Sequence, residues 1–349
     1  MEKSFAGKLF KGIFTVFFTL AIILYSDKMS SAAEEGLRLW LNTVVPSLFP
    51  FMVISSWLTF RISERKTVLD RLTFGLFGVP ASLMAIFPVS VLSGYPVGAK
   101  IISGLYSNGA ISKDTAEHLF SFCNNPGAVF ILSAVASSIL GDKSSAVFFM
   151  TVCVISSLTG GILYNFAFPA EPLKPIKTEA GTEPGIYSAI SSAVGSVLLV
   201  GGCIIFFSAV SEAALTLFPL KSPAANAIVS GVLEFTQGIK KISAFSPRFS
   251  YPIICAMLCW GGFSVHLQTA ALIGGCGLPL KKYIIGKAIC AACAYILSVI
   301  LYDSFFPQAP TEALTGAFAP VNSGLSLFAL SAFSASAVCL ILVEKNRRN

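Results

Sequence analysis

An all-α polytopic membrane protein is the fold class this sequence predicts, on three observations. Of its 349 residues, 55% are hydrophobic and only 12% charged, with a mean hydropathy of +0.79. Ordinary soluble domains are about one quarter charged. The apolar residues gather in runs near the length of about 20 residues that a helix needs to cross a bilayer. The 24 lysines and arginines sit in short segments between those runs, where membrane topology puts them. The net charge of +7 therefore carries no nucleic-acid signal. Most of the nine cysteines lie inside apolar runs. Cys290 and Cys293 form a CxxC within Ile284–Leu301 and read as helix-packing residues, not a redox pair. Two histidines alone, His118 and His266, make no metal site.

Residues 1–36 hold the N-terminal helix. Lys3, Lys8 and Lys11 precede an apolar run from Phe10 to Tyr25, which reads as a first span; a signal peptide is the alternative. Residues 37–168 form a first repeat. Its opening span, Leu39–Phe60, contains Pro46 and Pro50 and ends in Arg61, Arg65, Lys66 and Arg71, a cytoplasmic signature. A hairpin at 81–106 follows, then a span over Leu119–Leu140 broken at Cys123-Asn124-Asn125-Pro126-Gly127, then the span Ser145–Phe168. Residues 169–186 are a proline-rich, charged linker.

The second repeat, 187–305, has the same order. Tyr187–Leu217 spans, a hairpin lies at 224–245, Tyr251–Cys276 is broken at Trp260-Gly261-Gly262-Phe263, and Tyr283–Phe305 spans. Residues 306–349 supply a C-terminal helix, Gly324–Val343, and a basic tail. The prediction is about eight spans plus two re-entrant hairpins. Three crossings per repeat turn the second copy upside down. With both termini in the cytoplasm, sixteen lysines and arginines fall inside, Lys287 among them, and seven outside, with Lys100 uncounted.

The hairpins rest on a repeated motif. Ser93-Gly94-Tyr95-Pro96-Val97-Gly98-Ala99-Lys100 has a looser copy in Ser230-Gly231-Val232-Leu233-Glu234-Phe235-Thr236-Gln237-Gly238-Ile239-Lys240. Both contain Ser-Gly and then Gly-x-Lys, with three more residues between them in the second. Ala81–Val91 is too short to span, so two half-helices around a Gly/Pro tip are expected; one kinked spanning helix is the alternative. Interrupted segments in corresponding halves point to a transporter's binding site.

The candidate site residues are Ser93, Gly94, Gly98, Lys100, Asn124, Asn125, Ser230, Gly231, Glu234, Thr236, Gln237 and Lys240. The glycines let a ligand approach the backbone, the serines, asparagines, Thr236 and Gln237 offer hydrogen bonds, and Lys100 and Lys240 offer positive charge. Lys100 snorkelling to the interface is the plainer reading. Glu234 reads as an ion-coupling group or as a lysine's partner, placed with Lys240 in one site. Trp260 reads as a packing aromatic, and His266 as a hydrogen-bonded structural residue rather than a proton relay.

Three of these stretches, Ser93–Lys100, Ser121–Gly127 and Ser230–Gly238, resemble the YlbJ-type sporulation integral membrane proteins. That group carries the nucleoside-recognition "Gate" domain and is similar to concentrative nucleoside transporters. The resemblance runs from about Leu37 to Phe305. It implies a secondary transporter that moves dipicolinic acid, a small organic anion, across the outer forespore membrane, and a multi-pass location in a bacterial cell membrane. No nucleoside or sodium ligand is carried over by residue. A nucleoside or other neutral-solute transporter is the first alternative, and a non-transporting spore-membrane scaffold the second. No enzyme, cofactor or nucleic-acid partner is expected. The expected coupling ion is sodium or a proton, and the sequence chooses neither; it also leaves a homo-oligomer open.

Overall fold

A computed structural model describes residues 12, 15–57, 68–172 and 185–307. Every element among them is helical. The chain starts with α1 (Thr15–Leu24) and α2 (Ser26–Leu39). A π-helical turn at Trp40–Val44 leads into α3 (Val45–Trp57). Pro46 follows that turn and has no N–H to give, so the wider register arises where the ordinary ladder is already interrupted. Then come α4 (Val68–Phe77), a 3-10 turn at Ala81–Leu83, α5 (Ile86–Ser93), α6 (Val97–Ser107) and α7 (Lys113–Phe122). A π-helix at Phe130–Ile139 precedes α8 (Ser145–Ala167). The second half runs α9 (Ile186–Leu217), α10 (Pro223–Leu233), α11 (Phe235–Ile242), α12 (Pro247–Trp260), α13 (Gly262–Ile273) and α14 (Leu280–Phe305).

Local chemistry sets several of these boundaries. Ser112 Oγ accepts from Thr115 N (3.2 Å) to start α7, and Ser222 Oγ accepts from Ala225 N (3.4 Å) to start α10, where Pro223 already has a helical φ. Gly261 ends α12 with φ +80°, a left-handed position that a side chain would strain.

Five helical stretches among the described residues are long and apolar enough to cross a membrane: Ser26–Ile54, Ser145–Ala167, Ile186–Leu217, Pro247–Ile273 and Leu280–Phe305. A sixth counts if α4 and the segment Ala81–Ser93, bent by 72°, form one span. The chain is thus a multi-pass integral membrane protein. Two of the expected eight spans fall at the chain ends: α1 covers part of the first, and the final helix at 324–343 lies outside the described residues, as does most of the linker. The opening span differs from expectation in its start, because α2 continues through the π turn into α3 as one helix of 29 residues. The outward faces suit lipid. Val147, Ile155, Leu163 and Phe166 are exposed at helical spacing on α8, as are Ile296, Val299 and Ile300 on α14.

Both predicted hairpins are hairpins. In a straight helix, residues eight apart are separated by about 12 Å. Yet a Cβ on Gly98 would lie 3.1 Å from Ser90 Cβ, so α5 and α6 lie side by side around Gly94. In the second hairpin a Cβ on Gly238 would lie 2.2 Å from Gly231 Cα, so α10 and α11 touch backbone to backbone around Glu234. The single kinked helix that was the alternative for the first segment is excluded.

Polar contacts between elements sort into the two ends that the charge count assigns. At one end Lys282 pairs with Glu117, and Glu171 N donates to Asp114 Oδ2 (2.9 Å). At the other, Lys240 pairs with Glu35, Arg248 with Asp303, and Tyr251 OH donates to Asp142 Oδ2 (3.1 Å). Among these contacts, none joins residues assigned to opposite ends. A membrane-impermeant thiol reagent added outside is therefore expected to label Lys143→Cys and not Glu171→Cys, above the background of the native cysteines. The reverse pattern would invert the orientation. Lys287 needs a correction within that count. It belongs to no loop, but is fully buried two turns into α14.

Candidate functional site

The two hairpin tips meet. Tyr95 at the first tip and Phe235 at the second have ring centroids 6.2 Å apart, and Phe130 closes on Phe235 at 5.6 Å. Each tip also packs into the helix break of its own half. Gly94, with φ +79°, lies so close to Gly127 that a Cβ on it would stand 2.8 Å from Gly127 N. Gly262 plays the same part for the second tip, 3.0 Å from Phe235 N and 3.1 Å from Leu233 O when a Cβ is placed on it. Tyr95 OH donates to Leu258 O (2.6 Å), and Trp260 Nε1 to Val232 O (3.2 Å). Trp260 is thus the packing aromatic expected.

The asparagine break is wholly buried. Asn125 is saturated: Nδ2 donates to Ser90 Oγ (3.1 Å) and Phe122 O (2.7 Å), while Oδ1 accepts from Ser157 Oγ (2.8 Å). It ties the break to α5 and α8. Asn124 is not saturated. Its Nδ2 donates to Thr269 Oγ1 (3.2 Å) and Tyr283 OH (2.9 Å), but Oδ1 has no partner. Gln268 Oε1 and both ring nitrogens of His266 are also buried without hydrogen-bond partners. His266 departs from the expected hydrogen-bonded role because aromatic rings surround it, Trp260 at 4.1 Å, Tyr283 at 5.3 Å and Phe263 at 5.8 Å.

A cavity of about 30 Å³ lies between the tips, lined by Tyr95, Gly127, Phe130, Phe235, Thr236 and Gln268 among others. Above it opens a vestibule of about 480 Å³ lined by Glu34, Glu35, Arg38, Asn42, Gln237 and Lys240 among others. Thr236 lines both.

The predicted site residues separate into groups on this geometry. Gly94, Asn124, Glu234, Thr236 and Gln237 lie at the tips, the break or the path between cavity and vestibule. Ser93 is buried at the end of α5, and Gly98 makes the hairpin's contact with the break. Gly231 serves the crossing of α10 and α11, and Ser230 Oγ accepts from Lys241 Nζ (2.9 Å) and Ser211 Oγ (3.1 Å). Lys100 Nζ donates to Ser192 Oγ and to Ser56 Oγ (3.1 Å), which holds it against α3 and α9.

Glu234 and Lys240 do not pair. The Glu234 carboxylate caps α11, accepting from Gln237 N (2.9 Å), the Thr236 hydroxyl and Ser264 Oγ (3.4 Å). Three donors from neutral groups make a lysine partner unnecessary there. Lys240 is exposed on the vestibule rim with Glu35.

Sequence reasoning missed Lys287. Its Nζ donates to Asn124 O (2.7 Å) and lies 5.6 Å from the centre of the Tyr95 ring. A lysine seven residues inside a helix whose next fifteen residues are uncharged was the available signal. Tyr283 and Thr269, the partners of Asn124, carried no comparable signal. The CxxC is packing: Cys290 Sγ lies 3.3 Å from Ser121 O and both cysteines are free thiols.

Sporulation integral membrane protein YlbJ of Bacillus subtilis (strain 168) is 26% identical to this chain over 348 residues, covering 88% of this chain and 85% of that protein. The chain is thus similar, over most of its length, to a sporulation integral membrane protein of the YlbJ type. No family model and no solved structure matches it.

Proposed function

We propose that this chain is a secondary transporter of a small organic anion, dipicolinic acid, across the outer forespore membrane during sporulation. One observation carries the reading: two hairpin tips meet at two helix breaks, at the foot of a vestibule, beside buried polar atoms that have no partner in the protein. Burying such a group costs roughly 1–3 kcal/mol. A scaffold gains nothing from that cost, whereas a solute that visits the site offsets it. The relative's name supports sporulation. Membership of the nucleoside-recognition Gate group belongs to the same reading. The 30 Å³ cavity has room for about one water. Loading a ring dianion therefore requires the tips to part, as alternating access demands.

The orphan amide oxygens of Asn124 and Gln268 favour a second reading, a neutral solute rich in donors, such as a nucleoside. Purified protein in liposomes separates the two. Saturable uptake of labelled dipicolinate that unlabelled dipicolinate competes and uridine does not is the expected result. Uptake of uridine alone favours the second reading, and uptake of neither overturns both.

A further inference from the structure

We infer that the cavity between the hairpin tips is a clamp for a planar heteroaromatic ring, in which Phe130, Phe235 and Tyr95 pack on the ring and the amide of Gln268 selects its nitrogen edge. The inference rests on the transporter reading above and deepens it: it names the part of the solute that the centre recognises.

No charged side chain lines this cavity, and three of its lining residues are aromatic. The rings come from three separate elements: Tyr95 from the first tip, Phe130 from the first turn of the π-helix, and Phe235 from the first turn of α11. Tyr95 is fixed, because its OH donates to Leu258 O (2.6 Å). Phe235 meets it edge-on, with an interplanar angle of 73°, and meets Phe130 at 54°. Two polar side chains complete the lining, Thr236 and Gln268. The Glu234 carboxylate accepts from the Thr236 hydroxyl on α11 and from Ser264 Oγ (3.4 Å) on α13, and Gln268 stands one turn beyond Ser264. Thr236 and Gln268 thus share one wall. The Thr236 hydroxyl is committed to Glu234, whereas Gln268 is 2% exposed and its Oε1 has no partner. Gln268 is therefore the hydrogen-bonding group of this cavity that the protein itself does not use.

A wall without charge suits the uncharged part of a solute, since a carboxylate brought there would lose its hydration without compensation. Charged groups stay on the vestibule side of Thr236, where Arg38 and Lys240 stand. Aromatic pairs are attractive at centroid separations of about 4.5–7 Å. A third ring between Phe130 and Phe235 needs their centroids about 9 Å or more apart, twice the lower limit, against 5.6 Å here. The two rings part when the second tip moves, and close on each other when it returns. A carboxamide offers donors on one side and an acceptor on the other. Turned one way, Gln268 donates to a ring nitrogen of the pyridine type; turned the other, it accepts from a ring N–H of the uracil type. The shared chemistry is the flat nitrogen heterocycle, and dipicolinate and a nucleoside are its two sources.

The test is displacement of labelled dipicolinate, and separately of labelled uridine, from the detergent-purified full chain. Benzene-1,3-dicarboxylate keeps the ring and both carboxylates of dipicolinate but lacks the ring nitrogen. Glutarate keeps the spacing of the carboxylates and lacks the ring. In wild-type protein the benzene compound is expected to bind about 2- to 10-fold more weakly than dipicolinate, as for one lost hydrogen bond. Glutarate is expected to bind roughly 10-fold more weakly again, for want of ring contacts. Gln268→Met should erase the preference for the nitrogen and keep the preference for a ring; Phe235→Leu should do the reverse. Both are ratios within one preparation, so a misfolded fraction does not imitate them. Glutarate binding as tightly as dipicolinate in wild type, or a nitrogen preference that survives Gln268→Met, overturns the inference and leaves the transporter reading standing. If uridine alone binds, the ring is a nucleobase, and ribose displacing uridine as well as uridine itself does overturns the inference. Binding of neither label overturns both readings.

Discussion

Gly98→Ala is expected to eliminate folded protein from the membrane, while Gly104→Ala, on the same helix, leaves it intact or slightly stabilised. At Gly98 a Cβ would stand 1.8 Å from the carbonyl oxygen of Cys123 and 3.1 Å from Ser90 Cβ. The nearer atom is backbone of the broken helix, so no side chain can rotate away. Either the hairpin leaves the break or the break moves, and Asn124 follows Cys123 directly in the chain. Overpacking a tight core costs about 1–3 kcal/mol, and here the shift also disturbs the hydrogen bonds of both asparagines, so a loss beyond about 3 kcal/mol is expected. Gly104 has nothing within 4 Å of its Cβ position, and alanine in a helix gains up to about 1 kcal/mol over glycine. Thermal unfolding in detergent, followed by size exclusion, checks the pair. Equal melting temperatures would refute the interlock between hairpin and break.

Asn125→Leu and Asn124→Leu should fail in different ways. Leucine at 125 removes the donor to Phe122 O and the acceptor of Ser157 Oγ, and leaves Ser90 Oγ only its bond to Phe87 O (2.7 Å). At roughly 1–3 kcal/mol for each buried group that loses its amide partner, the sum is a large share of the stability of a typical domain. Loss of folded protein is the expected outcome. Leucine at 124 removes donors to Thr269 and Tyr283, which can turn to each other, and removes an oxygen that had no partner. The backbone carbonyl that Lys287 uses remains. Folded protein without dipicolinate transport is expected. If both variants fold and transport as wild type does, Asn125 is not the anchor of the break and Asn124 is not part of the binding site.

Much of this centre was legible in the sequence because membrane interiors are unforgiving. Two asparagines beside Pro-Gly, and Ser-Gly pairs repeated with Gly-x-Lys, are costly in a spanning helix. They therefore announced the break and both hairpins. The second break was equally visible at Gly261 and Gly262. Roles were harder to read than places. Lys240 looked like a site lysine through its motif, but its partner Glu35 stands 205 residues earlier, a pairing no local pattern encodes. Lys287 lay close enough to Lys281 and Lys282 to be read as a loop charge. A helix that starts at Leu280 and turns this side chain inward reverses that reading. For Glu234 the sequence offered pairing or coupling. The fold has it capping a helix of eight residues whose own backbone supplies the donor.

The brevity of α10 and α11, 11 and 8 residues, has a consequence for how the chain is made. At 1.5 Å per residue, helices of about 16 and 12 Å fall well short of a hydrocarbon layer about 30 Å thick. Neither can be released sideways into lipid as it leaves the ribosome. The groups that cover their shared tip, Gly262 of α13 and the Tyr95 ring, come from both sides in sequence, and α13 is translated only after the hairpin has emerged. Until then the backbone between Leu233 and Phe235 lacks the cover that Gly262 gives it. The hairpin must wait at the membrane surface, where Lys240 and Lys241 in the last turn of α11 keep it soluble, and settle inward only when the C-terminal helices have been inserted. A chain truncated before Gly262 would strand it there and present an unfinished protein to the cell's membrane proteases.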